Sequence, residues 1–568
     1  MKGLIQRLLI VTLTLTLFAC GGSDGGETPS PTPTPQPTPT PTPPPTPQSP
    51  EPSLWEQQVD AARLLQQATF GASLDAIDAV VEAGAETWLD TQMGLPTSSH
   101  VDYLNALTNQ VERDDIWREH RIEAWWNAAL TAPDQLRQRV AYALSQLMVI
   151  SDKSIFSDDQ FGMANYYDLL ASHAFGNYRD LLEDVTRSPI MGMYLSMLGN
   201  EKPDAARNIR PDENYARELM QLFSIGLVEL GLDGTPLIGT NGEPIATYDQ
   251  AVIEAYAHVF TGWNFSPATE FTWYNWWQNY DTLNAMEPVE AFHDTGEKLL
   301  LNNVLVPAGQ SAEQDLTMAL DSLFMHPNVG PFVSRHLIQQ LVTSNPSPAY
   351  IARVASVFND NGEGIRGDLG ATIKALLLDE EARSGHHDLP QQFGKLKEPI
   401  IKQTQLWRAF SAFSPNQRMQ LGYPDYIFNQ APLSSPSVFN FYLPDYSEPG
   451  ELASEQLVAP ELQIITETYV VRATNFIAYS TLWGHQVRRD PADDKDILVS
   501  FDAQIALLDQ PEELLEQLNL LLLSGAMSDQ YEAILAEALT LTDGLEPADR
   551  VANLVFLILS SPQFAVQM

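Results

Sequence analysis

From about Leu54 onward, apolar residues recur every three or four positions between Gly, Pro and Asp or Asn punctuation, which is the spacing of a helix with one buried stripe. QLRQRVAYALSQLMVI, YARELMQLFSIG, QAVIEAYAHVF, LTMALDSLFMH, PFVSRHLIQQLV and ATIKALLLDEEA all carry it. The expected fold class is mainly α, a large multi-helix globular domain with a small inserted β-hairpin. The hairpin is expected in GTPLIGTNGEPIATY, where Asn241-Gly242 offers the left-handed turn that joins two short extended runs. Ahead of it, Asp212 is positioned to cap a helix ending at Gly226, with Tyr215, Leu219, Leu222 and Phe223 on its apolar face and Asn214, Arg217 and Glu218 opposite. Gly362 to Gly367 spells GxGxxG but follows the helical run YIARVASVFNDN instead of a strand, so it reads as a helix terminus before a helix capped by Asp368.

The first 53 residues read differently. Lys2 and Arg7 precede the apolar run Leu8 to Phe18, and Leu17-Phe18-Ala19-Cys20 has the form of a lipobox, so residues 1–19 are expected to be an export signal and Cys20 the lipid-bearing terminus. The apolar run is too short for a permanent span. Gly21 stands where aspartate would signal inner-membrane retention, so the expected location is the outer membrane, facing periplasm or cell surface. Residues 20–53 alternate proline with threonine, which withdraws backbone donors and favours an extended polyproline spacer at roughly 3 Å per residue. The remainder, 54–568, is expected to be one body, with its subdivision left open because 568 residues exceed what one core needs.

Acidic residues outnumber basic ones 73 to 31, giving a formal charge of -42 that repels nucleic-acid backbones. Cys20 is the single cysteine, so the body has no disulfide and no thiolate for zinc, iron–sulfur or nucleophilic chemistry. The chain contains no GxSxG, HExxH, phosphate-binding GxxxxGK[ST] or EF-hand pattern.

RPDENYARELMQLFSIGLVEL (210–230), the Thr261-Gly262-Trp263 triplet and HDTGEK (293–298) resemble the bacterial family catalogued as domain of unknown function 1800. AARLLQQATFGAS (61–73), GKLKEPI (394–400) and SVFNFYLPDY (437–446) fit the same pattern. The resemblance runs from about Ala61 to near the C-terminus and implies one exported body of unestablished activity, often accompanied by a partner from a sulfatase- and phosphatase-related family. His258 in AYAHVFTGW is a departure, the family more often having arginine or another residue there.

Three segments hold the candidate chemistry. On the helix after Asp212, Glu213 and Arg217 stand at i,i+4 with Asn214 beside Glu218, as a cleft lining or as a structural network. His293, Asp294 and Lys298 share a loop whose residue types bind metals or move protons, and equally stabilise turns. Were Glu213, Glu218, His293 and Asp294 to converge, they could hold Mn, Zn or Ca or form an acid/base pair, with Arg217 and Lys298 binding an anion. Trp263, Trp273, Trp276 and Trp277, with Tyr274 and Tyr280, either cover core or offer flat faces to sugar rings. Two functions follow as expectations. The first is an envelope-anchored lipoprotein that binds or helps assemble an extracellular glycan or partner envelope protein, and the second is a polymer-acting hydrolase or lyase with a carboxylate/His site. Lys397-Glu398-Pro399 and Asp379-Glu380-Glu381-Ala382-Arg383 are expected to be solvated helix ends.

Overall fold

A reciprocal cap opens the first helix. The Ser53 hydroxyl accepts from the Glu56 backbone N–H (3.3 Å), and the Glu56 carboxylate accepts from the Ser53 backbone N–H (2.7 Å), starting Leu54–Ala68. The computed structural model describes residues 52–154, 156, 158–486 and 493–568. The expected export signal, Cys20 and all but the last two residues of the expected tether lie outside them. Residues 52–568 pack as one unit that is mainly α.

The centre is aromatic. Phe70 meets Trp125 edge-on (5.3 Å between centroids), Trp125 meets Trp126 (4.9 Å) and Trp126 meets Trp407 (5.1 Å). These rings tie Arg118–Thr131 to Pro399–Ala409, while Tyr142 on Gln135–Ser145 packs on both Phe70 and Trp125. Such edge contacts add about 0.5–1.5 kcal/mol each beyond the area they bury. The structure then knits distant segments: Gln66 donates to the Leu522 carbonyl (3.4 Å), and Lys395–Leu396 pairs with Val566–Gln567 as a two-stranded antiparallel ribbon.

Two other such ribbons occur among the described residues, Trp263–Asn264 with Glu287–Pro288 and Lys298–Leu299 with Leu305–Val306. The expected hairpin is present, Ile238 bridging Pro244 around Gly242 (φ +83), and a third short run extends it: Leu230 bridges Pro236 around Gly234 (φ +75) and Val228 bridges Ala246. Asp368 caps Leu369–Leu378 through the Ala371 N–H (2.9 Å), as its position after the glycine-rich loop implies.

Of the two charged segments read as solvated helix ends, only Glu380 is exposed. Lys397 and Glu398 are buried, because the Lys395–Leu396 ribbon drives the following turn into the core before Pro399 starts a helix. Glu381 is buried too, its Oε1 accepting from the Ser347 backbone N–H (2.8 Å), and Arg383 reaches back to Asp60 (2.5 Å). Asp379, the N-cap of Glu380–Asp388, pairs with Arg353 (2.7 Å).

Candidate functional site

Asp249 caps the helix Gln250–Val259 by accepting from the Val252 N–H (3.1 Å), and one face of this helix forms the wall of a groove of about 700 Å³. Across the groove stand Lys298–Leu299 and the turn through Asn302 and Asn303; Tyr248, Glu254 and His258 contribute side chains from the helix side. His258 is hydrogen-bonded through Nδ1 to Asp294 Oδ2. The hydrogen bond from His258, reinforced by the Gly296 backbone N–H (2.8 Å), holds the Asp294 carboxyl down at about 2 against the opposing effect of burial. Asp294 is therefore an acceptor, His258 Nδ1 is the donor, and only Nε2 of the ring is left to face a groove ligand.

The rest of HDTGEK turns inward. His293 is fully buried, with Nδ1 3.0 Å from the Thr261 carbonyl and Nε2 3.2 Å from Asp315. Lys298 Nζ donates to Asp315 (2.6 Å) and to the carbonyls of Asp294 (2.5 Å) and Gly296 (2.9 Å). The amine thus has a partner for each of three donors, as a buried polar group requires. Burial would raise Asp315, but the bonds from His293 and Lys298 outweigh it and hold its carboxyl below the usual range. Asp315 was not legible as a member of this cluster, yet one signal exists. It interrupts the apolar stripe Ala312, Leu316, Ala319, Leu320 and Leu323, and a carboxylate on a buried helix face requires a buried partner.

The Thr261-Gly262-Trp263 triplet serves this network. Gly262 has φ +89, and a Cβ there would lie 2.9 Å from the His293 nitrogen, so only glycine lets the two strands of chain approach. Trp263 is fully buried and offers no surface to a ligand.

Glu213 accepts from Arg217 (2.9 Å) and from the Gln250 amide (3.0 Å) at the surface, and Asn214 is exposed. The helix spans only Asn214–Gln221, with Glu213 and not Asp212 at its N-cap and its end five residues short of Gly226; Asp212 accepts from the Asn214 N–H (2.8 Å) just ahead of it, and turns carry the chain from Leu222 to Gly226 at φ +70. Glu218, opposite the apolar face, is interior as well. It is buried, and burial, only partly opposed by Arg217, raises its pKa; its Oε2 has no hydrogen-bond partner. The structure thus joins Glu213 to Arg217 and Asp294 to His258, and places Glu218 and His293 in separate interior settings. Among the described residues, no three His, Cys, Asp or Glu side chains gather as a metal-binding group.

The aromatic segment divides. Trp273 is buried, stacked on Phe292 (4.2 Å between centroids, 12° between planes), with Nε1 donating to Glu201 (3.0 Å). Around this anchor Phe271, Tyr274, Trp276, Trp277 and Tyr280 are exposed, Trp276 by 46% and Trp277 by 60%. Trp276 and Trp277 stand edge to face at 6.2 Å. Tyr280 donates to Asp159 (2.9 Å), and the Asn279 amide donates to the Pro267 carbonyl (3.1 Å).

No curated protein and no solved structure matches the chain. One family does, over residues 63–566, and it takes in the groove, the buried His293–Asp315–Lys298 network and the aromatic loop together. The chain belongs to the family described as "Protein of unknown function (DUF1800)".

Proposed function

We propose that this protein is an envelope-anchored lipoprotein that binds an extracellular glycan through the aromatic loop 271–280. The observation that carries the reading is the exposure of five large rings within ten residues. An isolated exposed aromatic is ordinary, but a contiguous rigid patch with polar neighbours is characteristic of a binding surface. The platform is preorganised by Trp273, Asn279 and Tyr280, so little ordering entropy opposes binding. The charge of -42 favours a neutral glycan over an anionic one. The double variant Trp276→Ala/Trp277→Ala is expected to weaken binding to neutral polysaccharide at least about ten-fold in calorimetric titration, since each truncated anchor costs on the order of 1 kcal/mol or more. Its melting temperature should stay near that of the parent because both rings are exposed. Undiminished binding by the double variant would overturn the reading.

The His258–Asp294 pair favours a second reading, a hydrolase acting on a chain laid in the groove. A carboxylate that fixes one imidazole nitrogen and leaves the other toward a cleft is the arrangement of an oriented general base. His258→Gln would then reduce release of new chain ends from envelope polysaccharide by about 10²-fold or more while the protein stays folded. Equal release by the variant and the parent would eliminate His258 as the base.

A further inference from the structure

A separate cleft of about 170 Å³ lies between the helix Val329–Leu341, the end of Gln135–Ser145 and the segment 438–444. Its apolar side includes Leu147, Leu222, Phe332 and Val438, and its polar side is formed by Gln146, His336, Gln340, Asn440 and Tyr442. Three of those polar residues lead into a buried cluster. Gln146 accepts from the Asn440 amide (2.9 Å) and donates to Glu398 (3.1 Å); the same Glu398 oxygen accepts from the Tyr142 hydroxyl (2.9 Å) and the Gln430 amide. The Gln340 carbonyl accepts from Arg139 (2.8 Å) and Lys395 (3.0 Å), and Lys395 pairs with Glu461 (3.2 Å). Tyr442 stands beside Gln340 and within the fields of Glu398 and Glu461.

Two features separate this cluster from an ordinary buried network. Two cations balance two carboxylates, so it has no net attraction for an anion or a cation. Two of the residues that line the cleft also carry buried polar atoms without a hydrogen-bond partner, the Gln340 side-chain oxygen, which accepts, and the Tyr442 hydroxyl, which both gives and takes, while Nε and Nη1 of Arg139 and Oε1 of Glu398 are orphaned in the interior behind them. Buried groups of this type are nearly always satisfied, and a site with spare donors and acceptors suits groups that both give and take a hydrogen bond.

We propose that the cleft is a binding site for one neutral polyhydroxylated ring, a single sugar residue, held by Gln146, Gln340, Asn440 and Tyr442 against the apolar wall. Hydroxyl groups are amphoteric in hydrogen bonding, and the ring's C–H face suits Phe332 and Leu222. At about 170 Å³ the cleft is roughly a quarter of the size of the groove beside His258, a scale that suits one ring better than a chain. His336 supports neutral chemistry, because burial pushes it down to about 4 and its Nε2 lies 3.3 Å from the Ala143 carbonyl, which only accepts. Its Nδ1 is thereby a bare acceptor. The site shares its ligand class with the aromatic loop but none of its residues, and it stands or falls separately.

The test uses the folded 54–568 body in its full chain, titrated with glucose, galactose, mannose and N-acetylglucosamine by saturation-transfer NMR, with glucose 6-phosphate as the anionic control. At least one neutral sugar is expected to bind. Tyr442→Phe, which removes only a hydroxyl, should weaken that binding about three- to ten-fold, and Val438→Trp, which fills the mouth, should abolish it. Trp276→Ala/Trp277→Ala should leave it unchanged. No binding by the folded parent, binding indifferent to both cleft variants, or tighter binding of the phosphate would overturn the inference. Loss of binding in the tryptophan variant alone would overturn it while leaving the aromatic-loop reading intact.

Discussion

Asp315→Ala is expected to lower stability by about 3–5 kcal/mol, the usual cost of removing one partner from a buried charge pair. Asp315 compensates Lys298 at 2.6 Å and bonds His293 at 3.2 Å, both beyond the reach of water. Its removal leaves an ammonium buried with only two carbonyls, and also frees Gln310, which donates to Asp315 Oδ1 (3.1 Å). Urea unfolding of parent and variant measures the difference directly. The variant should also unfold less steeply in acid. A carboxyl held low in the folded state contributes stability that is complete above about pH 4 and is lost as pH falls through its folded value, so deleting Asp315 deletes that part of the acid transition. A loss under 1 kcal/mol would mean that the three groups are far less coupled than their distances imply.

Lys397→Met is expected to act in the opposite direction. Burial pushes the Lys397 ammonium from 10.5 down to about 7, with Lys402 adding repulsion, while its Nζ lies 4.2 Å from the centroid of the Phe564 ring. The depression corresponds to at most about 5 kcal/mol of penalty on the charged form at 1.36 kcal/mol for each tenfold change. The ring contact returns about 2 kcal/mol, so methionine, isosteric over most of the stem, should stabilise the body by about 3 kcal/mol at pH 6. The sign with pH is fixed. Between about 7 and 10.5 the unfolded chain holds a proton that the folded chain does not, so the parent gains stability as pH rises through that interval. The advantage of the variant should therefore shrink between pH 7 and pH 10. Thermal unfolding at pH 6, 8 and 10 checks it, and an advantage that stays constant with pH would show that the gain is one of packing alone.

Local order was legible where the signal itself is local. The helical period, the Asn241-Gly242 turn and the Asp368 cap each involve residues within a few positions of one another, and the structure has all three. Burial of charge was not. Lys397-Glu398-Pro399 looks like a helix start facing water because nothing nearby reveals that Tyr142 and Gln146, some 250 positions earlier, supply its donors. Periodicity likewise placed Glu218 opposite the apolar face. A helix packed on more than one side has no single solvent face, and Glu218 is buried on the side the pattern left polar. The histidine loop shows the same limit in another form. Its residue types announced proton chemistry, but which histidine meets the groove depends on Asp294 choosing His258 and Asp315 choosing His293, and both partners come from elsewhere in the chain.

The contact between Gln66 and the Leu522 carbonyl spans 456 positions, and the pairing of Lys395–Leu396 with Val566–Gln567 spans about 170. The first helix packs early on Leu74–Ala83 and Gln135–Ser145, but its contacts with Glu380–Asp388 and with the turn Asn519–Leu523 can form only after those later segments have been made. Loops that long close slowly, so the body can assemble early from neighbouring helices but is locked only when its C-terminal segment joins the first helix and the 395–396 ribbon.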